Sequence, residues 1–128
     1  MLLMEIRVKC EESLRITGAT KDIVMIPFTG EATGPFFTGH VKGTGVDTQK
    51  IEKNGTPFLS ARYVLEGKDY AGNACSVFVE NQGSWGETFV PMIVTDSPVL
   101  SEWETADLYA EVNGLPGGVL VKVYMRGK

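Results

Sequence analysis

Residues 46–63 read VDTQKIEKNGTPFLSARY, and this segment decides how the chain is expected to fold. Two runs of strand-forming residues flank Asn54-Gly55, the dipeptide most typical of a two-residue type I′ turn between antiparallel strands. Counting outward from that turn pairs Asp47 with Arg62, on the same face as Gln49. The segment therefore predicts a β-hairpin in which Asp47 and Arg62 are direct cross-strand neighbours.

Similar runs recur along the chain and are separated by short turns such as Thr33-Gly34-Pro35 and Gly43-Thr44-Gly45. Short turns rich in Gly, Pro and Asn join antiparallel strands, whereas parallel strands need long crossovers for which this sequence leaves no room. We therefore predict one domain over residues 1–128, built as a meander. The nine predicted strands are Leu2–Cys10, Ile23–Ala32, Phe36–Lys42, Val46–Lys53, Phe58–Glu66, Ala74–Gln82, Phe89–Thr95, Leu108–Asn113 and Val119–Met125.

The composition supports an all-β fold. Val, Ile and Thr number 31 against 16 for Leu and Ala, and 15 of the 128 residues are Gly. β-Branched residues favour strands, and closing a meander into a barrel removes its two unpaired edges. A capping-box pattern, Ser101-Glu102-Trp103-Glu104, predicts one short helix over 101–107. The fold class expected is a single antiparallel up-and-down β-barrel of about nine strands with at most one short helix.

The charge pattern argues against nucleic acid as a partner. The net charge is −4, and the stretch from Asp69 to Val121 contains eight acidic residues without Lys or Arg. A nucleic-acid surface needs a cationic stripe, which is absent here. The opening residues are too polar for a signal peptide or a membrane span, so the expectation is a cytoplasmic protein with Cys10 and Cys75 as free thiols.

Common catalytic and metal-binding patterns are also absent from the sequence. It holds a single histidine, His40, and its two cysteines lie 65 positions apart, so no metal site is predicted. Gly43-Thr44-Gly45 lacks the Lys of a phosphate loop, and no nucleophile elbow of the Gly-x-Ser-x-Gly form occurs. No cofactor is expected.

A series of short motifs carries a family resemblance. It comprises Gly30–Gly39 with Gly34-Pro35, then Asp47-Thr48-Gln49, Ala61-Arg62-Tyr63, Asn81-Gln82-Gly83 and the strand Val119–Tyr124. Over residues 24–125 the chain resembles the uncharacterised bacterial family catalogued as domain of unknown function 3237. That resemblance implies a small antiparallel β-barrel, similar to cofactor-free cyclases and lipocalin-like binders. Thr48 stands where the family usually has Trp.

Asp47, Gln49 and Arg62 form the set of predicted neighbours with the most chemical content. A carboxylate, an amide and a guanidinium on one face can bind a carboxylate or carbonyl ligand, or they form a solvent-exposed ion pair. Asn81 is a further candidate for the same cavity, and Trp103 is a candidate aromatic cap over it.

Two functions remain open at this point. The first is a β-barrel that binds a small organic ligand, with or without a cofactor-free isomerase or cyclase activity in which Asp47 is the base and Arg62 holds an anion. The second is a structural or protein-interaction module with a filled barrel, which meets a partner or forms a homo-oligomer. A solvent-open cavity ending at Asp47 and Arg62 would favour the first.

Overall fold

The computed structural model describes residues 1–127, which form ten antiparallel strands and one short helix. The strands are β1 (Leu2–Cys10), β2 (Leu14–Thr17), β3 (Lys21–Thr33), β4 (Phe37–Val41), β5 (Gly45–Glu52), β6 (Phe58–Asp69), β7 (Ala74–Ser84), β8 (Val90–Thr95), β9 (Leu108–Leu115) and β10 (Gly118–Met125). The helix, η1, is a 3₁₀-helix over Pro98–Glu104. In the described part of the chain, no helix is long and apolar enough to cross a membrane.

The all-β antiparallel prediction is confirmed, and each of the nine predicted strands is present with small shifts of its ends. The tenth strand, β2, was not predicted because its four residues are too short a run to be distinguished from a loop. The predicted short helix is present, and it begins at Pro98, three residues before Ser101 of the capping-box pattern. The hydroxyl of Ser101 donates to the carbonyl of Pro98, so the capping box does not form as expected.

Ten strands fill eight positions in the sheet. β1 and β2 pair with successive parts of β3, and β4 and β5 together fill the position between β3 and β6. β4 is separated from β5 by a turn at Gly43, whose φ is +62°. β1 also pairs with β10, so the two ends of the chain are joined through the sheet. Apart from this pairing of the first strand with the last, the strand positions follow one another around the sheet in chain order, as in a meander.

The ring of strands is joined only weakly between β8 and β9. There the ladder is reduced to one bridge, in which Phe89 and Ala110 exchange backbone hydrogen bonds of 2.9 and 2.8 Å. η1 packs against β8. The expected barrel is therefore seen as a curved ten-stranded sheet whose edges meet at a single point, and not as a ring of continuous ladders.

Large side chains fill one end of the curved sheet. A bulge between Leu2 and Met4 turns both Leu3 and Met4 into the core, where neither is exposed to solvent. They share the core cluster with Phe37, Leu65 and Trp103, among others. The opposite end, towards the β5–β6 and β9–β10 turns, is less completely filled.

Close contact between β4 and β6 requires glycine. Gly39 and Gly67 are cross-strand partners, and a Cβ at Gly67 would overlap the backbone carbonyl of Thr38. Gly114 in β9 has open space around its Cα.

We expect Gly67→Ala to lower the free energy of unfolding by about 1–3 kcal/mol, because backbone atoms cannot move aside as a flexible side chain can. The matched variant Gly114→Ala should change it by less than about 0.5 kcal/mol. Urea unfolding of both variants measures the difference, and equal stabilities would contradict the close approach.

Candidate functional site

The register between β5 and β6 differs by one residue from the predicted one. Asp47 pairs with Ala61, and Arg62 pairs with Val46. A type I′ turn needs positive φ at both central residues, but every non-glycine residue within 1–127 has negative φ, including Asn54. Instead, the Gly55 amide donates to the Glu52 carbonyl at 3.1 Å, and residues 53–57 form a longer loop.

The predicted pairing of Asp47 with Arg62 is therefore wrong. A shift of one residue moves a side chain to the other face of a strand. Arg62 lies on the outer face, where its Nε donates to Oε2 of Glu80, its partner on β7, at 2.6 Å. Its side chain is 65% exposed, so Arg62 is not placed to hold a ligand in the interior.

A cavity of about 180 Å³ occupies the less filled end of the sheet. Strands from most of the ring contribute to it, and its walls are mainly apolar. The apolar and aromatic lining residues are Val8, Ile26, Phe28, Leu59, Ala61, Tyr63, Trp85, Phe89, Val112, Val119 and Val121, and the remaining ones are Cys10, Asp47, Gln49 and Asn81. The lining thus includes one carboxylate and no Lys, Arg or His.

Three buried polar atoms in this cavity have no hydrogen-bond partner. They are Oδ1 of Asp47, the hydroxyl of Tyr63 and Oδ1 of Asn81, and within residues 1–127 no other buried side-chain nitrogen or oxygen is left unpaired. Leaving such an atom unpaired costs about 1–3 kcal/mol. Three of them around one cavity leave an unusual amount of hydrogen-bonding capacity unused in one place.

The sheet places these three groups around one small residue. Asp47 on β5, Ala61 on β6 and Asn81 on β7 are consecutive cross-strand partners, so they form a row on the inner face. Two strand spacings put Asp47 and Asn81 about 10 Å apart at the backbone. Tyr63 follows Ala61 by two residues and points to the same side. Because Ala61 has only a methyl group, space remains between the carboxylate, the amide and the phenol.

Burial controls the protonation of Asp47 and Tyr63. Desolvation raises the pKa of Asp47, while the hydrogen bond from Gln49 Nε2 to Oδ2, at 3.0 Å, acts in the opposite direction. Desolvation also raises the pKa of Tyr63, so its hydroxyl keeps its proton at neutral pH. The pair therefore combines a carboxylate of increased basicity with a phenol that can donate.

Cys10 and Cys75 are both free thiols, but only Cys10 lines the cavity. Burial, and secondarily the charge of Asp47, raise the pKa of Cys10. This thiol is therefore protonated at neutral pH and a weak nucleophile.

The mouth of the cavity lies near Trp85. This residue is 46% exposed, and its backbone amide donates to the carbonyl of Pro57 at 3.0 Å. An outer recess of about 260 Å³ shares Gln49, Leu59 and Trp85 with the cavity. A ligand seated inside can therefore extend past the indole towards solvent.

The structure brings together three of the five predicted site residues. Asp47, Gln49 and Asn81 line the cavity, whereas Arg62 and Trp103 do not. Trp103 lies in η1 at the filled end, 3% exposed, with its ring edge-to-face with Phe36 at 6.5 Å. It packs the core and does not cap this cavity. The sequence reasoning missed Tyr63 and Trp85, although Tyr63 belongs to the Ala61-Arg62-Tyr63 motif.

We expect Asp47→Asn to raise the free energy of unfolding at pH 7 by on the order of 1 kcal/mol, because it removes a charge held in an apolar cavity. A folded-state pKa above 3.8 means that the stability linked to Asp47 is fully present below pH 3.8 and is lost as the pH rises through the folded-state value. The gain should therefore disappear near pH 3. Urea titrations at the two pH values measure it, and a loss of stability at pH 7 would contradict this account.

We expect a double-mutant cycle between Arg62 and Glu80 to give a coupling of about 0.2–1 kcal/mol, as for other exposed pairs. The cycle between Asp47 and Arg62 should give a coupling near zero, because the two side chains lie on opposite faces. A larger coupling for Asp47 with Arg62 than for Arg62 with Glu80 would restore the register predicted from the turn.

Solved structures with the same fold come from bacteria and a fungus. A protein with unknown function from Clostridium acetobutylicum ATCC 824 has a TM-score of 0.84 and 22% identity, covering 98% of this chain and 94% of its own. A beta-barrel like protein from Acinetobacter baumannii AYE has a TM-score of 0.82 and 17% identity, with coverages of 97% and 92%. A structure described as an enzyme from Penicillium herquei has a TM-score of 0.76 and 13% identity, with coverages of 97% and 92%. At these identities the likeness concerns the fold alone.

No curated protein matches the chain. A family model, described as protein of unknown function (DUF3237), matches residues 1–102. The match includes the Gly34-Pro35, Asp47-Thr48-Gln49 and Ala61-Arg62-Tyr63 motifs, and it confirms the resemblance inferred from them. The chain belongs to this DUF3237 family.

Proposed function

We propose that the protein binds a small organic molecule in the interior cavity and that Asp47 accepts a proton from it. The reaction class is a cofactor-free isomerisation or ring closure. One observation carries the proposal: the three buried polar atoms without partners all lie in a single, mainly apolar cavity. A packed structural barrel has no reason to keep these groups unpaired beside empty space.

The chemistry follows from the two titratable groups. Asp47 Oδ1 takes a proton from carbon next to a carbonyl group, and the electrons of that C–H bond move onto the carbonyl oxygen. The hydroxyl of Tyr63 donates a hydrogen bond to this oxygen and stabilises its charge. Asp47 then returns the proton at a different atom, which completes an isomerisation without an external reactant.

The comparisons support this proposal at the level of the fold. A closed barrel of eight strands is wide enough to enclose one small ligand, and the curved sheet here, with eight strand positions, encloses a cavity of that kind. One structural relative is described as an enzyme, so the architecture is compatible with catalysis. Fold likeness does not transfer a reaction, and the residues of the cavity are the main support.

Arg62 has no part in this mechanism. It was expected to hold an anion, but it pairs with Glu80 on the outer face. We assign the stabilising role to Tyr63, which lines the same cavity as Asp47, while the unpaired Oδ1 of Asn81 is available to accept a hydrogen bond from the ligand.

A protein-interaction module is the second candidate. The outer face of β8 carries three apolar side chains that are 46–64% exposed: Val90, Met92 and Val94. On its β9 side, β8 also has no continuous partner strand. Apolar side chains beside an open edge favour association with another chain or a second copy. This surface lies outside the cavity, so the two functions do not exclude each other. A cytoplasmic location is compatible with both and is also a proposal.

The test of the base uses hydrogen exchange into cyclohexanone, an uncharged carbonyl compound with one ring. Incubated in heavy water, the wild-type protein should exchange the hydrogens next to the carbonyl faster than buffer does, as followed by proton NMR. Asp47→Asn should lose about 100-fold or more of that rate, the usual contribution of a positioned base. Tyr63→Phe should also slow the exchange.

The control is Arg62→Gln, which changes an exposed side chain on the same strand as Tyr63. With this variant, the hydrogens of cyclohexanone should exchange at the wild-type rate. Exchange that is equally fast in wild type and Asp47→Asn would overturn the role of Asp47 as the base.

A further inference from the structure

The charge inside the cavity restricts what it can bind. Among the lining residues, Asp47 is the only one with a formal charge at neutral pH, and the lining holds no cationic side chain. The nearest arginine in sequence, Arg62, is directed outwards and already paired with Glu80. We propose that the ligand is an uncharged molecule of about one ring that presents a hydroxyl group, or the enol form of a carbonyl, to Asp47. This inference rests on the proposed function and names its ligand class.

An anionic ligand does not fit this site. A carboxylate seated between Asp47 and Asn81 would face a like charge across an apolar cavity, where no cation offsets the repulsion. The desolvation that already raises the pKa of Asp47 shows how poorly this environment solvates negative charge. Of the two ligand types that the sequence leaves open, a carboxylate or a carbonyl compound, this charge pattern favours the carbonyl compound.

An ammonium ligand fits less well than a hydroxyl. Of the two Asp47 oxygens, Oδ2 already accepts a hydrogen bond from Gln49, and only Oδ1 is free. An ammonium group has three donors to satisfy, and burying it means removing a strongly hydrated charge from water. A hydroxyl needs one acceptor, which Oδ1 provides, and its own oxygen can accept from Tyr63.

The size of the cavity indicates one ring. An apolar cavity of roughly 150 Å³ in another protein holds benzene, and the volume here is about 180 Å³. Larger substituents have an exit, since the outer recess continues past Trp85. A ring with one polar group directed towards Asp47 would fill the cavity, and a substituent directed outwards would occupy the recess beside Trp85.

The experiment compares four molecules that share a para-fluorinated ring and differ in one substituent. They are 4-fluorotoluene, 4-fluorophenol, 4-fluorobenzoate and 4-fluorobenzylamine, with affinities measured by fluorine NMR at pH 7. 4-Fluorophenol should bind about tenfold or more tightly than 4-fluorotoluene, as expected for a hydrogen bond to a charged group. 4-Fluorobenzoate and the cationic 4-fluorobenzylamine should bind more weakly than 4-fluorotoluene.

Two variants assign the selectivity to Asp47. In Asp47→Asn, which keeps the shape of the side chain, the preference for 4-fluorophenol over 4-fluorotoluene should fall several-fold and the discrimination against 4-fluorobenzoate should weaken. Arg62→Gln should leave all four affinities unchanged. Circular dichroism checks that both variants are folded. If either variant fails to fold, the order of the four affinities in the wild-type protein still tests the ligand class.

The outcomes separate this inference from the proposed function. If 4-fluorotoluene and 4-fluorophenol bind equally, or if either ion binds most tightly, the cavity binds small molecules but the ligand class is wrong. If none of the four molecules binds, the proposed function fails and the ligand class fails with it. Only the order with 4-fluorophenol first, together with its loss in Asp47→Asn, supports the inference.

Discussion

The pairing of Asp47 with Ala61 is the constraint on which the interpretation of this protein depends. Side chains alternate between the two faces of a strand, so one register determines which residues of β5 and β6 face the interior. With Asp47 opposite Ala61, the carboxylate faces inwards and Arg62 faces solvent. The loop over residues 53–57 accommodates this register, whereas a two-residue turn would have brought the guanidinium of Arg62 inside instead of the phenol of Tyr63.

The two ends of the curved sheet differ in how completely side chains fill them. Large apolar side chains such as Phe37 and Trp103 fill one end. The other end keeps a cavity lined mainly by apolar and aromatic side chains, in which three polar atoms are left without partners. Unpaired buried groups reduce stability. Their concentration at one end is the observation that supports the proposed binding of a polar molecule there.

Strand positions were predictable from the sequence because apolar alternation and Gly-rich turns act locally. β1 has its predicted bounds, and β10 differs by one residue. The register of β5 on β6 was not predictable, since Asn54-Gly55 also fits a longer loop and only the whole sheet selects between the two. Asp47, Gln49 and Asn81 were found by their chemistry, whereas Trp103 was misplaced because η1 covers the filled end. Tyr63 was missed, because a tyrosine in a strand resembles any core aromatic until its hydroxyl is seen without a partner.

Asp47 is a carboxylate desolvated by an apolar cavity and not a surface group paired with arginine. Carbon-13 NMR of the Asp47 carboxyl group during a pH titration tests this most directly. We predict a pKa above the ordinary value of 3.8, unchanged when Arg62 is replaced by glutamine. A pKa at or below 3.8 that rises in Arg62→Gln would place the two side chains together and contradict both the register and the site.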